Sequence, residues 1–209
     1  MSGVRFSPAP LNFNFNIMNR NLEDYIYYKK NFLSKSYCED VIQEISTSIW
    51  TKHEWVGVDE PLLSKLEVGA NSLNGHGNFD ITKPAVSDIV NTITNDLNSV
   101  IIEYIKPYDF VWFGHTSIKL FQYLPEQAMS FHYDNVRDIF DGERKGVPIF
   151  TVVGALNDDY SGGEFIMFDD YKIEIKQGDV IIFPSNFLYP HRVSPVTEGI
   201  RYSYVSWGW

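Results

Sequence analysis

The segment FHYDN sets His132 and Asp134 two residues apart near the end of a strand-like run. Residues i and i+2 of a strand leave the same face of the backbone, so both side chains can reach one ion. His191, in PHRV at the start of the last strand pair, offers a third ligand if the chain folds back on itself. Two imidazoles and a carboxylate on one face of an octahedron leave three positions open. An iron(II) centre needs that room to hold a chelating co-substrate together with dioxygen. Zinc sites with three protein ligands also exist, so ligand identity alone does not fix the metal. Taken by itself, a His-Xaa-Asp triplet is a weak signal, and a hydrogen-bonded histidine at a strand end is the bland alternative.

Arg201 strengthens the case. It opens RYSYVSW, an aromatic and β-branched run that reads as a buried strand, where an unpaired guanidinium is costly. The planar fork of arginine matches a carboxylate, and Ser203, two residues on, points the same way and adds a hydroxyl donor. A dicarboxylate can then chelate a metal at one end and dock on Arg201 at the other. The competing reading is an internal ion pair with Glu164 or Glu174.

These residues need a scaffold. Ser36 followed by Glu39 reads as a capping box, and Val41, Ile42, Ile45 and Ile49 then recur at helical spacing, a helix of roughly three turns. A second helix opens near Pro84, carries Val86, Ile89, Val90, Ile93, Leu97, Ile101 and Ile105 on one face, and stops at Pro107. Beyond it the periodicity changes: 110–113, 116–123, 148–156, 164–168, 172–175, 179–183 and 200–207 are short runs rich in Val, Ile, Phe and Tyr. Gly, Pro, Asn or Asp turns separate them. Many short strands after two helices predict a mainly β fold, a sandwich or barrel with helices packed on one face. Residues 1–20 read as an arm or leader and 21–209 as one domain. The Gly-rich stretch 51–80 and the charged run 134–146 are long irregular segments of the kind used for binding loops, the second a candidate lid.

Composition narrows the function classes. A net charge of -10 opposes nucleic acid and anionic membrane as partners. No apolar run has the length of a membrane span and the N-terminus lacks a secretory layout, so a soluble cytoplasmic location is expected. The lone cysteine, Cys38, reads as a small buried side chain on the first helix. His53, His76 and His115 have no partner at metal-ligand spacing.

SGGEFIMF, followed by KQGDVIIFPSNFLYPHRVSPVTEGIRYSYVSWGW, resembles the prolyl 4-hydroxylase branch of the 2-oxoglutarate and iron(II)-dependent oxygenases. The likeness lies in the Gly-Gly-Glu turn, the Gly-Asp strand, and the His, Pro-Val, Gly-Xaa-Arg and Trp ending. It spans roughly residues 30–209. The resemblance implies a double-stranded β-helix, a jelly-roll or cupin-like barrel with helices on the major sheet. It also implies that Fe(II), held by His132, Asp134 and His191, couples decarboxylation of 2-oxoglutarate by O2 to hydroxylation of a prolyl residue of a peptide or protein. An iron-site reductant such as ascorbate would assist. By position, Tyr123 is similar to the family tyrosine that hydrogen-bonds 2-oxoglutarate. Thr151 is similar to a threonine that helps hold the distal carboxylate beside Arg201, and Trp207 to a tryptophan bordering the active site.

The segment 56–80 departs from the family pattern and lacks the arginine sought there. That leaves open a same-fold hydroxylase of another residue or of a free amino acid, and a non-enzymatic metal-binding barrel. Trp55, Tyr133 and Trp207 are aromatic groups suited to a proline-rich chain.

Overall fold

The structure, a computed structural model, describes residues 20–52, 71–72, 84–135 and 147–209. The expected arm (residues 1–19), nearly all of the 51–80 loop with His53, Trp55 and His76, and residues 136–146 of the candidate lid lie outside the described residues. Two helices, α1 (Lys35–Ser46) and α2 (Pro84–Ile105), precede most of the strands. The N-cap of α1 lies two residues before the one expected from the capping box. Ser34, not Ser36, is the N-cap, its Oγ accepting from the Tyr37 N–H at 3.2 Å. Ile49 falls beyond the helix and is 76% exposed, because α1 has already ended at Ser46. No helix among the described residues is long and apolar enough to cross a membrane.

All strand pairings are antiparallel. The large sheet runs β1 (Tyr27–Lys29), β10 (Val180–Pro184), β6 (Phe150–Ala155), β13 (Arg201–Gly208), β4 (Lys119–Tyr123), β3 (Asn71–Ser72), β2 (Thr51–Lys52). The small sheet runs β5 (Met129–His132), β11 (His191–Val193), β8 (Phe165–Met167), β9 (Tyr171–Ile173), and β12 (Val196–Glu198) pairs with β7 (Ser161–Gly162). Residues 110–113, expected as a strand, form none. They still meet the sheet: Phe113 N–H donates to the Trp209 carbonyl at 2.9 Å, and Phe110 and Trp112 pack on the helix-side core, Phe110 against Phe150.

Strand alternation splits the large sheet into two faces. Leu120, Val152, Val180, Ile182, Tyr202 and Tyr204 turn toward α1 and α2, packing with Val41, Ile45, Ile93, Leu97 and Ile101. Phe121, Tyr123, Val153, Ala155, Ile181 and Phe183 turn the other way and share a core with Phe165, Met167 and Val193 of the small sheet. Arg201, Ser203, Val205 and Trp207 have the parity of this second face. The two sheets therefore enclose one interior, and the chemistry-bearing residues of β13 point into it.

Candidate metal centre

His132 closes β5, and His191 opens β11 directly opposite it in register. Asp134 follows two residues after His132. The strand pairing, and not any local motif, supplies the third member. One side-chain donor atom from each of His132, Asp134 and His191 lies within 4.8 Å of the others. His132 Nε2 stands 3.5 Å from Asp134 Oδ1, and His191 Nε2 stands 3.6 Å from Asp134 Oδ2.

Second contacts set how each ring faces the centre. His132 Nδ1 lies 2.6 Å from the Ser130 carbonyl and His191 Nδ1 lies 3.1 Å from the Tyr189 carbonyl. A carbonyl only accepts, so each Nδ1 carries the proton and each Nε2 lone pair is left facing Asp134. Phe165 stacks on the His191 ring at 5.3 Å and Phe183 meets it edge-on at 5.0 Å, one from each sheet. Burial, with the neighbouring His132 adding to it, lowers the His191 imidazole to about 4, against a partial opposing pull from Asp134. Burial alone would raise the Asp134 carboxyl. The facing His191 and His132 and the Thr151 hydroxyl outweigh it and hold that carboxyl well below the usual range.

At the other end of the inward face, Arg201 is 3% exposed. Its Nη1 donates to Ser203 Oγ at 2.8 Å, and its guanidinium carbon lies 4.9 Å from the centre of the Tyr123 ring. Its Nε is buried with no acceptor among the described residues. The two carboxylates expected as internal ion-pair partners are engaged elsewhere: Glu164 is held by Lys172 and Ser194, and Glu174 by Lys176. No carboxylate among the described residues pairs with Arg201. A cavity of about 370 Å³, bordered by Tyr160, Gly163, Phe165, Ile175 and Arg201, opens at this end, and none of the three clustered ligand residues lines it. Gly163 has φ +62, and a Cβ there would lie 3.1 Å from Arg201 Cδ, so glycine meets both the turn and the guanidinium's need for room. Burial pushes the Tyr123 phenol up to about 12, against an opposing pull from Arg201, so it stays a donor.

Thr151 corrects the expectation from sequence. It sits opposite Trp207, six residues along β13 from Arg201, so it cannot share a carboxylate with that guanidinium. Its hydroxyl instead donates to Asp134 Oδ2 at 2.7 Å and contacts Ser185 Oγ at 2.8 Å. Ser185, in the turn between β10 and β11, carried no spacing signal, and only the fold places it here. His115 is apart from the cluster, its Nδ1 near the Thr116 carbonyl and Ser206 Oγ.

Known proteins resemble part of the chain in sequence and most of it in fold. Residues 118–209 match the 2OG-Fe(II) oxygenase superfamily. A PKHD-type hydroxylase of Xylella fastidiosa strain M12 is 47% identical over 53 residues, which are 24% of this chain and 22% of that protein. The chain thus matches about a fifth of the length of that curated relative. In fold, it is similar to a Trichoplax adhaerens prolyl hydroxylase solved in complex with a hypoxia inducible factor oxygen degradation domain peptide fragment. The TM-score is 0.63 at 19% identity, covering 88% of this chain and 83% of that one. A Pseudomonas putida prolyl-4-hydroxylase gives 0.60 at 15% identity, covering 88% and 91%. The resemblance to 2-oxoglutarate and iron(II) oxygenases stated from the sequence is thus matched over residues 118–209, and the prolyl hydroxylase structures share the fold.

Proposed function

We propose that this chain is a non-haem iron(II) dioxygenase that couples decarboxylation of 2-oxoglutarate to hydroxylation of a substrate, and that residues 21–209 form its catalytic domain. The facing sheets are read as a double-stranded β-helix. One observation carries the proposal: a two-histidine, one-carboxylate cluster and a buried guanidinium with no carboxylate partner among the described residues open into the same interior.

The donor set fits the metal. Both Nδ1 atoms are committed to backbone carbonyls, so His132 and His191 would bind through Nε2 and Asp134 through one oxygen, leaving positions for other ligands. When bound, iron(II) supplies the oxidising chemistry with dioxygen. The protein positions and shields. Thr151 orients the Asp134 carboxylate, and Phe165 and Phe183 keep water from one side of His191. Arg201, with Ser203 and the protonated Tyr123 beside it, would hold the distal carboxylate of 2-oxoglutarate, which supplies the missing anion. Trp207 borders the space between.

The substrate favoured is a prolyl residue of a peptide or protein. Support comes from the prolyl hydroxylase fold and from the peptide carried by the Trichoplax protein. The test is to incubate the protein with iron(II), 2-oxoglutarate and ascorbate as reductant, with and without proline-rich peptides, following succinate and peptide mass together. Peptide-stimulated succinate with a gain of one oxygen is expected. Succinate stimulated only by a free amino acid or another peptide class would overturn the prolyl reading and leave the oxygenase standing.

A further inference from the structure

The interior has two ends, and they meet solvent in different places. At the metal end the His132 side chain is 21% exposed while Asp134 is buried, so the cluster meets solvent along β5. At the Arg201 end the opening is the cavity of about 370 Å³, bordered by β9, the last strand of the small sheet, and by Gly162 and Gly163, with none of the three clustered ligand residues in its lining. Its size is that of a small-molecule site, ~300–1,000 Å³. Phe165, Ile175 and Arg201 form a buried floor. The rim is polar and exposed: Asp158, Glu164, Lys172, Glu174 and Lys176.

Arg201 joins this space to the chemistry. Its buried Nε has no acceptor among the described residues, although the side chain borders the cavity. An unmet buried donor on a charged group is costly, so an anion is owed to it. That anion can arrive through the cavity without passing the metal. Three features ease the way. Around the lining, Lys172, Lys176 and Arg201 balance Asp158, Glu164 and Glu174. On a chain of net charge -10 this is a locally neutral inlet, where a dianion meets little repulsion. Both rim lysines sit in exposed ion pairs, Lys172 with Glu164 and Lys176 with Glu174, and such pairs part at little cost. Gly163 lays no side chain against the Arg201 stem, where a Cβ would crowd Cδ.

We propose that this cavity is the passage by which the dicarboxylate co-substrate reaches Arg201 and its shorter diacid product leaves, a conclusion resting on the oxygenase reading above. The substrate to be hydroxylated approaches on the His132 side of the cluster instead. Co-substrate can then exchange while substrate stays in place, since neither stands in the other's way.

The experiment narrows the mouth and follows rates. Lys172→Cys and, separately, Lys176→Cys are coupled to N-methylmaleimide or to the bulkier N-cyclohexylmaleimide, the native Cys38 being fully buried. Stopped-flow tryptophan fluorescence of the full iron(II)-loaded chain under anaerobic conditions gives association and dissociation of 2-oxoglutarate. At one position or both, the cyclohexyl label should slow both rates about fivefold or more relative to the methyl label, with the dissociation constant changed less than about twofold. An obstructed route slows entry and exit alike and leaves the two end states alone. Equal rates with the two labels at both positions would overturn the passage. So would weaker binding with unslowed dissociation, because the label would then occupy the site rather than the way to it. Iron-dependent binding to the unlabelled chain is measured first. Its absence would sink the oxygenase reading and the passage with it, whereas binding that no label slows sinks the passage alone.

Discussion

Thr151 donates its hydroxyl to Asp134 Oδ2 at 2.7 Å from the floor of the large sheet, so the carboxylate of the metal cluster is aimed by a residue from a different sheet than the one carrying His132 and His191. Thr151→Val keeps the shape and removes the donor. Loss of such an outer contact typically weakens metal binding roughly 10–100-fold. Anaerobic calorimetry with iron(II) alone should show a drop of that size with an unchanged fold. Full affinity in Thr151→Val would mean that Asp134 needs no such support.

Gly154 is opposite Tyr204 in the β6–β13 ladder, and a Cβ there would fall 1.9 Å from Tyr204 Cζ. The tyrosine is fully buried under the helices and has nowhere to move. Gly154→Ala should therefore lose about 1–3 kcal/mol, the usual cost of overpacking. A melting temperature several degrees lower is expected, and an unchanged one would show that the helix layer yields.

Cys38 is fully buried on α1, and burial raises its thiol to about 11. The folded state holds that proton more tightly than the unfolded chain, whose ordinary value is 9.0. Stability from this source is intact below 9.0 and is lost as the pH climbs through about 11. Native protein at neutral pH should resist thiol reagents and react only on unfolding; rapid labelling of the folded chain would contradict the packing.

The chemistry was more legible in the sequence than the scaffold details. Helix α2 follows its apolar spacing from Pro84 to Ile105 because periodicity directly encodes which side is buried. His132, Asp134 and His191 were readable as types, but only the β5–β11 pairing brings His191 across. Short edges such as Tyr27–Lys29 were invisible: three half-buried residues carry no period, and Asp179 organises them from far along the chain, accepting from Asn31 N–H at 2.8 Å and Lys176 N–H at 3.0 Å. Thr151 was misassigned because its strand identity was readable while its distance along β13 from Arg201 was not.

The central claim is that one dicarboxylate bridges the metal cluster and Arg201. Anaerobic calorimetry of 2-oxoglutarate against the iron(II)-loaded chain tests it most directly, comparing wild type with Arg201→Ala, Arg201→Lys and Asp134→Ala. Wild type should bind only with iron present. Arg201→Ala should lose about 2–5 kcal/mol, as when one partner of a buried charged pair is removed; Arg201→Lys should lose less, and Asp134→Ala should abolish metal-dependent binding while keeping its fold. Binding of 2-oxoglutarate that is indifferent to iron and unchanged in Arg201→Ala would contradict the account.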